Sequence, residues 1–167
     1  MTSDASGSWG CGAWHGSHWF QLQWDEASAD LPIVVKELLP ILIAGVVWGP
    51  SWSNQRVLCH CDNQAVVACL HSRTSKHSHI MHMLRTLAFL EARYAFQMHS
   101  TYIDTKANHL ADDLSRKSLS SFFLKVPHAD KAATPLSNPF ITLLLDPSVD
   151  WTSALWLQWF GSISKKV

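Results

Sequence analysis

Asp4, Glu37, Asp62 and the neighbours Asp112 and Asp113 stand where an isolated carboxylate is costly. Asp4 closes a short opening strand that runs into Ala5-Ser6-Gly7. Glu37 lies in the first turns of a helix that is otherwise apolar. Asp62 directly follows the strand-like run Val57-Leu58-Cys59-His60-Cys61, and Asp112 with Asp113 sits in a short helix after the last strand. In open α/β sheets the C-terminal ends of the strands are where ligands bind. Several carboxylates gathered there make an oxygen-rich centre for Mg²⁺ or Mn²⁺, which keep waters and take substrate phosphate as further ligands. Two such ions about 3.5–4 Å apart stabilise both the attacking and the leaving oxygen of a phosphodiester displacement. Singly, each residue has a plainer use. Asp62 alone is a turn or helix-capping aspartate, Glu37 a snorkelling or ion-paired helix residue, Asp4 a turn residue and Asp112 an exposed helix acid. The ordered set points to a metal centre.

The elements that must position these groups are legible in the patterning. Residues 9–15 and 18–24 read as two strands around a glycine-containing turn at His15-Gly16-Ser17. The strand carrying Asp4 lies so near residue 1 that its beginning reads as truncated. Residues 25–30 read as a polar loop. A long apolar helix is expected over 33–47, with Pro40 unable to donate to the Lys36 carbonyl and so expected to kink it. Residues 49–51 read as a loop, 56–61 as a strand and 63–71 as a short helix. A second long helix over 79–94 carries Met83, Leu84, Leu87 and Leu90 at helical spacing. Residues 96–103 form a further strand and 107–116 a short helix. Alternating strands and helices after an opening meander give an α/β fold with a mixed sheet. After Lys117 the composition shifts to Ser and Pro, so 118–150 reads as a wrapped or loose linker. Trp156, Trp159, Phe160 and Ile163 then mark an amphipathic helix over 155–163.

The 167 residues, 47% hydrophobic and 16% charged, suit one packed domain with an extension and exclude wholesale disorder. Thirteen basic groups balance thirteen acidic ones, which argues against gripping nucleic acid through bulk charge alone. The balance hides a gradient: residues 1–70 carry two basic and six acidic groups, residues 71–117 seven basic and four acidic. Cys11, Cys59, Cys61 and Cys69 read as reduced thiols in or near the core rather than a disulfide framework. The most apolar stretch, 31–48, is broken by Pro32, Lys36, Glu37 and Pro40 and fails as a membrane span. With no leader visible, an intracellular protein without a membrane anchor is the expectation.

Four segments resemble the type 1 ribonuclease H domain of retroelement reverse transcriptases: T-S-D-A-S-G-S-W-G-C-G at 2–12, K-E-L-L-P-I at 36–41, C-D-N-Q-A-V-V at 61–67 and A-N-H-L-A-D-D-L-S-R at 107–116. The likeness is strongest to the tyrosine-recombinase (DIRS-like) elements and covers about residues 2–117. The tail L-L-L-D-P-S-V-D-W-T-S at 143–153 is also similar to the stretch downstream of the domain in those elements. The resemblance implies a ribonuclease H-like mixed five-stranded sheet, three strands antiparallel and then parallel ones, with helices on both faces. It implies a domain over 1–117 and an extension over 118–167. It further implies endonucleolytic hydrolysis of the RNA strand of RNA–DNA hybrids with two Mg²⁺ ions, Mn²⁺ as a substitute, inside a polyprotein that carries a linked reverse transcriptase domain. Asp4 would bridge both ions, Glu37 would hold the second ion and the water near the scissile phosphate, and Asp62 would stand on the nucleophile side. Asp112 would be the last carboxylate, with Asp113 its exposed neighbour and rival for that place. Asn63 and Asn108 fall where the family contacts substrate backbone or steadies the site. The family's loop histidine has no counterpart in 102–107, and neither His99 nor His109 is assigned its role.

Other groupings have duller explanations. His71, His77, His79 and His82 lack the spacing of a zinc site and read as surface histidines beside Arg73, Lys76 and Arg85. Cys59-His60-Cys61 alternates across a strand, so the three cannot converge on one ion, and core packing accounts for them. Trp9, Trp14, Trp19 and Trp24 read as indoles packed between sheet and helices rather than base-stacking platforms. Two rival readings stay open: a catalytically inactive remnant serving as a nucleic-acid-binding or interaction module, and an integrase-like nuclease on the same fold. Glu37, in the helix after the meander, favours ribonuclease H over the second.

Overall fold

The computed structural model describes residues 1–136, 144–146 and 148. Five strands, β1 (Thr2–Ala5), β2 (Gly10–His15), β3 (His18–Gln23), β4 (Arg56–Cys61) and β5 (Gln97–Tyr102), form one sheet in the order β3-β2-β1-β4-β5. β3, β2 and β1 are antiparallel, while β1–β4 and β4–β5 are parallel. The fold is therefore α/β with the mixed five-stranded sheet expected of a ribonuclease H-like domain. The β2–β3 hairpin closes through a two-residue turn, in which Gly16 adopts a φ of +65° that a side chain would resist.

Alternation along the strands splits the core between the two faces. Cys11, Ala13, Phe20, Cys59 and Cys61 point toward α2 (Ile33–Val47), which is buried from Val35 to Val46 because it is sandwiched between the sheet and α4 (Ser78–Tyr94). A helix covered on both sides has no polar face to offer, which is why this segment looked membrane-like. It runs unbroken through Pro40. α3 (Gln64–Ser72) packs beside β4 and β5 on this side. On the opposite face Trp19 meets Leu114 of α5 (His109–Ser115) and Phe122 of α6 (Leu119–Lys125). Of the tryptophans spaced five apart, Trp24 anchors to Ser6 through its indole N–H and Trp19 to the Asp130 carbonyl, both as packing residues.

Three local departures have simple causes. The segment expected as a polar loop over 25–30 contains a short helix α1 (Glu26–Ala29), because the Asp25 side chain accepts from the Ser28 amide at 2.9 Å and caps it. Residues Gly49–Trp52 form a 3₁₀ turn, opened by Pro50, that seats Trp52 against Trp48, His15 and Phe96. Of the two forms allowed after Lys117, residues 118–136 take the wrapped one. Fully burying Phe122, worth about 1.5–3 kcal/mol, holds α6 to β3, and the amides of Asp130 and Thr134 donate to the Ser17 and Trp19 carbonyls. The helix expected over 155–163 lies outside the described residues.

At the other side of the sheet, Arg73 makes a two-pronged ion pair with Glu91 and also donates to the Met98 carbonyl at 3.0 Å. Glu91 accepts the Met98 amide at 2.7 Å, and His71 Nε2 lies 2.7 Å from the Ser100 carbonyl. No helix among the described residues is long and apolar enough to cross a membrane.

Candidate active site

β1 runs parallel to its neighbour β4, so Asp4 near the end of one and Asp62 just past the other open on the same end of the sheet. Glu37 reaches this end from the first turns of α2. Its neighbour Lys36 fixes that turn, donating to the Gly7 carbonyl at 2.8 Å and the Ala29 carbonyl at 2.6 Å and lying over the Trp24 ring. Two consecutive buried charges thus diverge: the lysine stitches the β1–β2 turn to the helix, and the glutamate faces the strand ends.

α5 brings the last carboxylate. It approaches closely because β2 presents Gly12 beneath it, where an added Cβ would lie only 2.4 Å from Leu114 Cβ. Ser115, completely buried, then donates its hydroxyl to Asp4 Oδ2. Asp112 and Asp113 separate by partner, and Asp113 is buried rather than exposed. Asp113 turns to Lys125 of α6, at 2.7 Å, while the charge of Asp112 bears on Asp4. Asp112 is also ion-paired with Arg116 one turn on, and that guanidinium feels Asp4 and Asp62 as well. The structure thus brings Asp112, not Asp113, to the group.

Asn108 is buried, and its side-chain amide donates to the Ser3 carbonyl at 2.9 Å, tying the start of α5 to the strand that carries Asp4. Asn63 caps α3, its side-chain oxygen accepting from the amides of Ala65 and Val66. Both are therefore engaged in holding the frame. The histidines stand elsewhere: His77 and His79 face each other across 5.5 Å at the start of α4, and His109 is exposed at the start of α5.

The electrostatics follow from crowding acids in a poorly solvated place. Burial, then the charges of Asp62 and Asp112, push the Asp4 carboxyl up to about 6 against the pull of the Ser115 hydrogen bond. Glu37 is pushed up to about 9, first by burial and then by Asp4 and Asp62. Glu37 Oε2 and Asp62 Oδ1 are buried and accept no hydrogen bond among the described residues. A carboxylate oxygen out of water and without a donor needs a proton or a cation, and hard oxygen donors of this kind suit Mg²⁺ or Mn²⁺. The donor set fits a divalent ion.

One neighbour is not evident from the sequence. Cys61 Sγ, a Glu37 carboxylate oxygen and an Asp62 carboxylate oxygen all lie within 4.8 Å of one another. Strand alternation places Cys61 in the core, correctly. Only the seating of the first turns of α2 over β1 and β2, next to β4, brings Glu37 to it. Ser115 and Arg116 close the A-N-H-L-A-D-D-L-S-R run at 107–116, but nothing in the sequence gives either a role. No protein-family model, no curated protein and no solved structure matches the chain.

Proposed function

We propose that the chain hydrolyses the RNA strand of RNA–DNA hybrids, cutting internally to leave a 3′-hydroxyl and a 5′-phosphate. The observation that carries this reading is Glu37: a buried glutamate with an unpartnered oxygen, reaching from the helix after the meander to the strand ends that bear Asp4 and Asp62. Burying two mutually repelling acids, Asp4 and Glu37, beside a half-buried third, Asp62, has no structural return in a domain of this size unless a cation offsets them.

Asp4, Glu37, Asp62 and Asp112 would hold two Mg²⁺ ions, with Mn²⁺ as substitute, which when bound supply neutralisation of the attacking and leaving oxygens of the phosphodiester. The protein's own groups do the rest. Ser115 fixes the rotamer of Asp4 and favours its ionised form. Glu37 Oε2, which faces no donor among the described residues, would orient the attacking water. Asn108 keeps the β1 end from shifting relative to α5. Arg116, whose guanidinium feels Asp112, Asp4 and Asp62, is a cation placed to meet an incoming phosphate. Discrimination of RNA from DNA would come from 2′-hydroxyls read across a minor groove, with little sequence preference. The partners on this reading are the hybrid itself and a covalently linked reverse transcriptase domain, which would supply the affinity that a zero net charge does not.

The test is cleavage of a labelled hybrid by the purified chain with Mg²⁺ or Mn²⁺, beside Asp62→Asn, with circular dichroism to establish folding. Metal-dependent cleavage that Asp62→Asn abolishes supports the reading. A folded chain that cuts nothing overturns it in favour of an inactive remnant with a binding role.

A further inference from the structure

The donors around Glu37 are not all oxygen. Cys61 Sγ shares a 4.8 Å neighbourhood with carboxylate oxygens of Glu37 and Asp62. Glu37 is 7% exposed and its Oε2 has no donor among the described residues, so the group holds a buried, unpartnered acceptor. Mg²⁺ gains little from sulfur, whereas Zn²⁺ and Cd²⁺ favour thiolates, and carboxylate-plus-thiolate sets are within zinc's range. Geometry allows it. With Zn–S near 2.3 Å and Zn–O near 2.1 Å, tetrahedral coordination sets sulfur and oxygen about 3.6 Å apart. Contraction from the present spacing is a matter of about 1 Å, within reach of side-chain rotation.

We infer that Cys61 is a third protein donor beside Glu37 and Asp62, giving this centre a high-affinity mode for thiophilic divalent cations of the Zn²⁺ and Cd²⁺ class. The inference deepens the nuclease reading and rests on the same carboxylates. Occupancy of that mode engages Glu37 and Asp62 and excludes the oxygen-preferring ions, so such cations act as inhibitors. On binding, the sulfur–metal bond forms as the S–H bond breaks, and the proton passes to buffer. Cys11, on the neighbouring side of the same face, also feels Glu37 and Asp4, but only Cys61 joins the three-atom group.

The probe is Cd²⁺ added to the full chain kept reduced with a phosphine, reading the thiolate-to-cadmium charge-transfer absorption in the ultraviolet. The expected result is one equivalent of band at low Cd²⁺, resistant to a large excess of Mg²⁺. Cys61→Ser should lose it, and Cys69→Ser, on α3 away from the group, should retain it. Asp62→Asn keeps every thiol and should need at least tenfold more Cd²⁺ to reach half-signal, which covers the case of Cys61→Ser failing to fold. No band from a folded chain, a band kept in a folded Cys61→Ser, or an unshifted midpoint in Asp62→Asn would each overturn the inference. The readout needs no cleavage. A band without hybrid cleavage sinks the nuclease and leaves the thiol-containing centre standing, while cleavage without a band does the reverse.

Discussion

Glu37→Gln should make the metal-free protein more stable while abolishing cleavage. A buried glutamate held at about 9 keeps its proton at neutral pH, whereas in the unfolded chain it ionises near the ordinary 4.5. Between those values the folded state binds the extra proton, so stability falls as pH rises through the window. Each pH unit costs about 1.4 kcal/mol, which from 4.5 to 7 accumulates to about 3 kcal/mol. Glutamine has nearly the shape of the protonated acid and does not titrate, so the variant escapes that cost. Urea denaturation in EDTA at pH 5, 7 and 8.5 measures it. The gap between Glu37→Gln and the parent should be small at pH 5, about 3 kcal/mol at pH 7 and larger at pH 8.5. Mg²⁺ should narrow it, because a cation that binds the folded parent returns stability by mass action. A variant no more stable than the parent at pH 7, or a gap that ignores pH, would refute the view that Glu37 is held at a cost for the sake of a cation.

Four further outcomes are expected. Asp112→Asn should lower hybrid cleavage by two orders of magnitude or more. Asp113→Asn, losing only its ion pair with Lys125, should retain cleavage and cost about 1 kcal/mol or less by denaturation. Ser115→Ala removes the hydrogen bond that lowers the Asp4 carboxyl from its raised position, so the acid limb of the pH–cleavage profile should move to higher pH. Gly12→Ala drives a methyl against Leu114, and lifting α5 should cost about 1–3 kcal/mol in a thermal melt and weaken cleavage by displacing Asp112.

The long elements are readable because their patterns are self-consistent. Residues 33–47 and 56–61 fall at the limits expected for them, one as a mostly apolar run too long for a strand, the other as a short apolar-alternating stretch ended by Asp62-Asn63. The carboxylates are readable for a related reason, since Asp4 and Asp62 stand at strand ends and Glu37 and Asp112 in the first turns of helices that patterning locates. α1 and α6 are not, because a helix of one or two turns rests on a single cap or a single buried ring rather than on periodicity. The choice between Asp112 and Asp113 lies beyond sequence. Adjacent helix residues point about 100° apart, and only the seating of α5 over Gly12 fixes which one faces Asp4 and which one Lys125. Cys61 is legible on the right face but not beside the right partner, since its nearness to Glu37 depends on how α2 seats on the neighbouring strands β1 and β2.

The side chains of Arg73, Glu91 and His71 have a consequence for how this sheet meets other chains. β5 is an outermost strand, and such a strand ordinarily displays a row of amides and carbonyls to which a foreign strand can add. Here the amide and carbonyl of Met98 and the carbonyl of Ser100 are already taken by those three residues. On the far side, the segment after α6 occupies the Ser17 and Trp19 carbonyls of the β3 border. A second polypeptide seeking to lengthen the sheet at β5 must first break a bidentate ion pair. Neighbouring domains or further copies are therefore steered toward helix surfaces and loops, and the borders resist the edge-to-edge stacking by which exposed strands aggregate.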